Sequence, residues 1–129
     1  MLQKEFIQKG RSLAFCGYVI KPGDIKSCLL KLSDLSGMLC SFSIRVVKTE
    51  RPRRKLIIDV ELAEGFDPLR INIEYCLYEF IWRLKNMSRN FAAYIRHVPL
   101  ESFPELYFHP FNRICIAEGL YRIKEKYPL

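Results

Sequence analysis

Met38-Leu39-Cys40-Ser41-Phe42-Ser43-Ile44-Arg45-Val46 and Leu56-Ile57-Ile58-Asp59-Val60-Glu61-Leu62 alternate apolar with polar side chains. A period of two is that of a pleated strand, whose successive side chains leave on opposite faces. Met38, Cys40, Phe42, Ile44 and Val46 fall on one face with Leu56, Ile58, Val60 and Leu62. Ser41, Ser43, Arg45, Asp59 and Glu61 fall on the other. The intervening Lys48 to Lys55 is too charged to bury, so the two segments predict an antiparallel hairpin with that stretch at its tip. A sheet with one polar face predicts helices on the apolar side only.

Upstream, Leu13 to Ile20 reads as a strand that Lys21-Pro22-Gly23-Asp24 stops. Proline lacks a donor N–H yet suits the first turn of a helix. Ile25, Cys28, Leu29 and Leu32 recur at helical spacing, predicting a helix from Pro22 through Ser33 that ends by Ser36-Gly37. Downstream, Asp67-Pro68 predicts the cap of one long helix over Pro68 to Ile95, with Ile73, Leu77, Phe80, Ile81, Leu84, Met87, Phe91 and Ile95 on its apolar face. Tyr75, Tyr78 and Trp82 add a second stripe, read as widening the core rather than forming an aromatic platform for a ligand. Glu105 to His109 and Arg113 to Ala117 read as short strands about a turn at Pro110-Phe111-Asn112. This order predicts an α+β fold, a ferredoxin-like split βαβ sandwich with helices on one face of an antiparallel or mixed sheet.

With 129 residues, half of them hydrophobic and 13% aromatic, the chain has apolar surface for one domain's core. Its net charge of +7 favours anionic partners without choosing among them. Cys16, Cys28, Cys40, Cys76 and Cys115 have no CxxC spacing and sit in apolar runs, which predicts buried thiols in a reducing, cytoplasmic setting. His97 and His109 stand apart from clustered ligands, so no metal site is expected, and no apolar run is long enough to span a membrane. No two of the six glycines lie close together, and Walker, GxGxxG and GxSxG patterns are absent from the sequence. The chain is not expected to catalyse a reaction by itself. The basic tip around Arg51, Arg53 and Arg54 serves either solubility or an anionic ligand; without interleaved aromatics, nucleic acid is not the expected one.

Gly10-Arg11, the apolar run to Ile20 with Gly17 inside it, and the Pro22-Gly23-Asp24-Ile25 helix opening resemble the hinge and first elements of the C-terminal domain of phenylacetate-CoA ligase-like adenylate-forming enzymes, within the acyl-CoA synthetase superfamily. Ile25 to Leu35 resembles that family's first helix, Leu39 to Glu64 its following strand pair, and Arg122-Ile123-Lys124 the basic end of its lobe. The resemblance implies residues 1–10 as a hinge-proximal segment and 11–129 as one mobile lobe. It also implies ATP and CoA as cofactors and a carboxylic acid as substrate, bound mainly by an N-terminal adenylation domain that is the lobe's partner, in the same chain or another. In such proteins a lobe lysine joins the adenylation step on closure. The resemblance assigns that role to Lys124, with Lys126 as the alternative, and nucleotide contact to Arg11. Under the resemblance, Arg51, Arg53 and Arg54 are the candidates for meeting CoA phosphates. Where the family carries an acidic or lysine residue after the hinge arginine, Ser12 and Leu13 stand here. The competing expectation is a non-enzymatic ferredoxin-like module that binds RNA or a protein through its basic surface.

Overall fold

The computed structural model describes residues 3–6, 13–15, 18–48, 54–111 and 127–129. In chain order the elements are β1 (Gln3–Phe6), β2 (Leu13–Phe15), β3 (Tyr18–Ile20), α1 (Pro22–Leu30), β4 (Leu39–Lys48), β5 (Arg54–Leu62), α2 (Ile73–Met87), α3 (Arg89–Arg96), β6 (Glu105–His109) and β7 (Tyr127–Pro128). Single 3-10 turns lie at Ser33–Leu35, Pro68–Arg70 and Leu100–Ser102.

The period-two segments pair antiparallel as β4 and β5, with Phe42 opposite Val60, Ile44 opposite Ile58 and Val46 opposite Leu56. On the far edge of β4, β1 pairs antiparallel along Arg45 to Lys48, and β7 occupies the same edge at Ser41 and Phe42. Four strand positions therefore hold five strands, in the order β1, β4, β5, β6 with β7 beside β4. β6 runs parallel to β5, from Ile57 opposite Glu105 to Glu61 opposite His109. The fold is α+β with a mixed sheet, and its βαβ unit, β5 through the helices to β6, joins adjacent strands.

Phe42, Ile44, Val46, Leu56, Ile58 and Val60 form one core with Ile25, Cys28 and Leu29 of α1, Cys76, Phe80 and Leu84 of α2, Phe91 and Ile95 of α3, and Leu106 of β6. The helices thus cover the apolar face, as the alternation predicted. Each fully buried Phe, Leu or Ile contributes roughly 1.5–3 kcal/mol. Burial, and then the Asp24 charge, push the Cys28 thiol up to about 11. The Tyr127 ring stacks on Phe42 at 5.1 Å, and the Leu129 amide donates to the Cys40 carbonyl at 3.0 Å, which together fasten the C-terminal residues to β4.

Four expectations need correction. Leu13 to Ile20 is not one strand of the main sheet: β2 and β3 pair antiparallel with each other as a separate two-stranded sheet, Phe15 opposite Tyr18. The first helix stops at Leu30, where the Lys31 and Leu32 amides turn to the i−3 carbonyls of Cys28 and Leu29 at 3.3 and 3.2 Å, and beyond it the Ser33 amide and hydroxyl donate to Glu79 Oε1 at 3.2 and 3.1 Å. An amide held by another helix is lost to the i→i−4 ladder. Gly37 then closes the type II turn from Leu35 to Met38 at φ +75°, a conformation that favours glycine.

The single long helix is in fact a 3-10 turn and two α-helices. Asp67 accepts from the Leu69 amide and caps only the turn; Asn72 accepts from the Tyr75 amide at 3.1 Å and caps α2. Ser88, in an extended conformation, donates its amide to the Leu84 carbonyl at 3.0 Å and accepts at Oγ from the Phe91 amide at 3.2 Å. One residue therefore ends α2 and starts α3. Finally, Tyr75, Tyr78 and Trp82 do not widen the core, since they are 46%, 71% and 53% exposed. The strand expected at Arg113 to Ala117 lies outside the described residues.

Candidate functional site

Strand parity places Ser41, Ser43 and Arg45 of β4, Lys55, Asp59 and Glu61 of β5, and Glu105, Tyr107 and His109 of β6 on the face opposite the helices. Polar residues on the face away from the described helices would ordinarily be solvated, yet Ser41, Ser43, Arg45, Asp59 and Glu61 are all buried. Asp59, with no exposed surface, takes Arg45 side-on, Nε to Oδ2 at 2.7 Å and Nη2 to Oδ1 at 3.2 Å. His109 Nε2 lies 2.9 Å from Asp59 Oδ1. A carboxylate accepts only, so this contact selects the imidazole form protonated at Nε2.

The network continues across β6. The Arg45 guanidinium lies 5.8 Å from the Tyr107 ring centroid, and the Tyr107 hydroxyl donates to Glu105 Oε2 at 2.6 Å. Lys55 Nζ donates to Glu105 Oε1 and to the Glu101 carbonyl, each at 2.9 Å. The Glu105 hydrogen bond, then burial, raise the Tyr107 phenol to about 12. For Glu105, burial acts to raise its carboxyl, but hydrogen bonds from Tyr107 and Lys55 and the Lys55 charge outweigh it and hold it below the usual carboxylate range. Ser41 Oγ donates to Glu61 Oε1 at 2.6 Å. A carboxylate-held imidazole is an element of general bases. Here the carboxylate is shared with a buried guanidinium, an arrangement that fixes side chains on a sheet face.

A second feature opens to solvent. Between α2 and the segment running from Ile95 to Glu105 lies a cleft of about 590 Å³. Leu77, Ile81, Ile95 and Phe103 supply apolar lining, and Tyr78 and Trp82 stand along it on α2. Lys55, Lys85 and Arg96 line it together with Glu74 and Glu105. Lys55 and Glu105 neutralise each other, whereas Lys85 and Arg96 have no acidic partner among the described residues. The volume lies in the range of ligand sites, and a mostly apolar lining with a few charges is their usual composition.

Of the site residues singled out from the sequence, only Arg54 is among the described residues. Arg54 is the first residue of β5, opposite Lys48. Arg11, Arg51, Arg53, Lys124 and Lys126 lie outside the described residues. Among the described residues no cluster of three or more His, Cys, Asp or Glu side chains could hold a metal ion, and no helix is long and apolar enough to cross a membrane. The Asp59–His109 contact escaped sequence reading because fifty positions separate the two residues. The cleft has a signal in the sequence, Tyr78 and Trp82 of the aromatic stripe, but their helical spacing is equally that of a core face. The chain matches no protein-family model, no curated protein and no solved structure.

Proposed function

We propose that the chain is the mobile C-terminal lobe of a phenylacetate-CoA ligase-like adenylate-forming protein, closing over an adenylation domain that binds ATP and a carboxylic acid. The observation that carries this reading is the succession after Gly10-Arg11: short strands at Leu13–Phe15 and Tyr18–Ile20, a helix whose first residue is Pro22, and the antiparallel pair β4 and β5. The resemblance has one strand before the helix where β2 and β3 form a hairpin, and then the same helix and strand pair. The ferredoxin-like assignment belongs to the same proposal, resting on helices packed over one face of a mixed sheet, although here the parallel crossover joins neighbouring strands rather than straddling a third. A cytoplasmic location goes with it.

In this reading Lys124, or Lys126 in its place, arrives on closure and neutralises charge as the acyl-adenylate forms. Arg11 grips the nucleotide with its planar fork, and Arg51, Arg53 and Arg54 meet the phosphates of CoA. With the chain joined to a cognate adenylation domain, Lys124→Ala should lower ATP–pyrophosphate exchange by roughly 10²-fold, the scale of one lost preorganised charge. Transfer from preformed acyl-adenylate should change far less, and the chain alone should release no pyrophosphate with aryl or alkyl acids. Undiminished exchange in both Lys124→Ala and Lys126→Ala, or turnover by the isolated chain, would overturn the reading.

The exposed Tyr75, Tyr78 and Trp82 favour a second reading, a binding module without catalysis. The two separate on the native reading frame: a Ser/Thr/Gly-rich nucleotide loop encoded upstream belongs to the ligase alone.

A further inference from the structure

The cleft beside α2 combines three properties rarely left together on a surface without a partner. Its lining is apolar at Leu77, Ile81, Ile95 and Phe103. Large aromatics stand open along it, Tyr78 at 71% and Trp82 at 53% exposure, with Leu100 at 77% on the opposing 3-10 turn. Lys85 and Arg96 line it without an acidic partner among the described residues. Tyrosine, tryptophan and arginine are the side chains most enriched where proteins bind one another, and apolar surface at such a centre excludes water from the charges around it.

We propose that this cleft docks an acidic polypeptide segment, one that places Leu- or Phe-type side chains on the apolar lining and carboxylates against Lys85 and Arg96. The inference does not depend on the ligase reading. The apolar lining favours a polypeptide over nucleic acid: Leu77, Ile81, Ile95 and Phe103 can take apolar side chains, which a phosphate backbone does not offer. Glu74 is in the first turn of α2 and Lys85 in its last, so the acidic and basic contributions of that helix lie at opposite ends and orient a bound segment.

The chain has a single tryptophan, Trp82, which lines both this cleft and a smaller pocket beside Lys31 and Arg83, so its emission detects binding and the Lys85 and Arg96 variants assign that binding to the cleft. The probe is a synthetic twelve-residue peptide of Glu with Leu and Phe at helical spacing, compared with a version carrying Lys for every Glu, a version carrying Ser for every Leu and Phe, and a twelve-nucleotide oligouridine. The Glu peptide should shift Trp82 emission to the blue and saturate. The Lys and Ser versions and the RNA should bind at least tenfold more weakly. By anisotropy of a labelled Glu peptide, Lys85→Glu combined with Arg96→Glu should weaken binding about tenfold or more, the scale of losing and reversing two complementary charges. Leu69→Ser, at a residue 93% exposed and not lining the cleft, should leave it unchanged. Thermal melts of both variants check that the fold is retained. Equal or tighter binding of the Lys peptide, the Ser peptide or the RNA would overturn the proposal, as would no emission shift with the Glu peptide or undiminished binding by the double variant.

Discussion

Asp59 shows how one side chain changes the meaning of a pattern. By periodicity it belongs to a solvated strand face; in the fold it has no exposed surface and holds both Arg45 and His109. Removing one partner of a buried ion pair costs more than the pair contributes, because the remaining charge has been taken out of water. Asp59→Ala should therefore destabilise the protein by about 3–5 kcal/mol in urea denaturation. Arg45→Met with Asp59→Leu should cost less than Asp59→Ala alone, since it also removes the buried guanidinium that Asp59 neutralises. If Asp59→Ala matches an ordinary surface substitution, the network does not hold this face. Sequence reading identified the face correctly and its environment incorrectly, because parity is local whereas the partner on β6 is not.

Among the elements, the boundary between α2 and α3 is the sharpest test of local chemistry. A continuous helix through this region would gain from alanine at position 88, a better helix former than serine. Ser88 instead caps α3 through its hydroxyl. Ser88→Ala should therefore lower stability by about 1 kcal/mol, with Asn72→Ala at the start of α2 costing a similar amount. Thermal or chemical denaturation followed by circular dichroism reads both, and a stabilised Ser88→Ala protein would favour the unbroken helix. The apolar spacing from Ile73 to Ile95 identified the helical region without locating its break. Periodicity integrates over several turns, whereas a cap is a single hydrogen bond.

At the scale of the molecule, Glu79 ties α2 to the segment after α1. Burial acts to raise its carboxyl, but hydrogen bonds from the Ser33 amide and hydroxyl, together with Arg83, outweigh it and hold the group below its ordinary value of 4.5. The folded protein thus binds this proton less readily than the unfolded chain. The stability it contributes is present in full above pH 4.5 and is lost as pH falls through the lower folded value. Melting temperature should drop between neutral pH and pH about 3, and Glu79→Gln should make that drop smaller by lowering stability at neutral pH. An unchanged acid response in Glu79→Gln would mean that the tether contributes nothing. Glu105 shifts in the same direction and should add to the same acid limb.

By itself the sequence determined the features carried by local covalent geometry. Alternation placed β4 and β5 and selected the face that meets the helices, while helical spacing placed α1 and the region of α2 and α3. The turn residue Gly37 and the Asp67-Pro68 pair marked real boundaries, though of shorter elements than expected. Tertiary structure alone decided the parallel pairing of β5 with β6, the separation of β2 and β3 from the main sheet, the burial of Asp59 and the exposure of Tyr78 and Trp82. A side chain's direction follows from its own backbone, but what covers it is supplied by residues far away in the chain, as His109 is for Asp59.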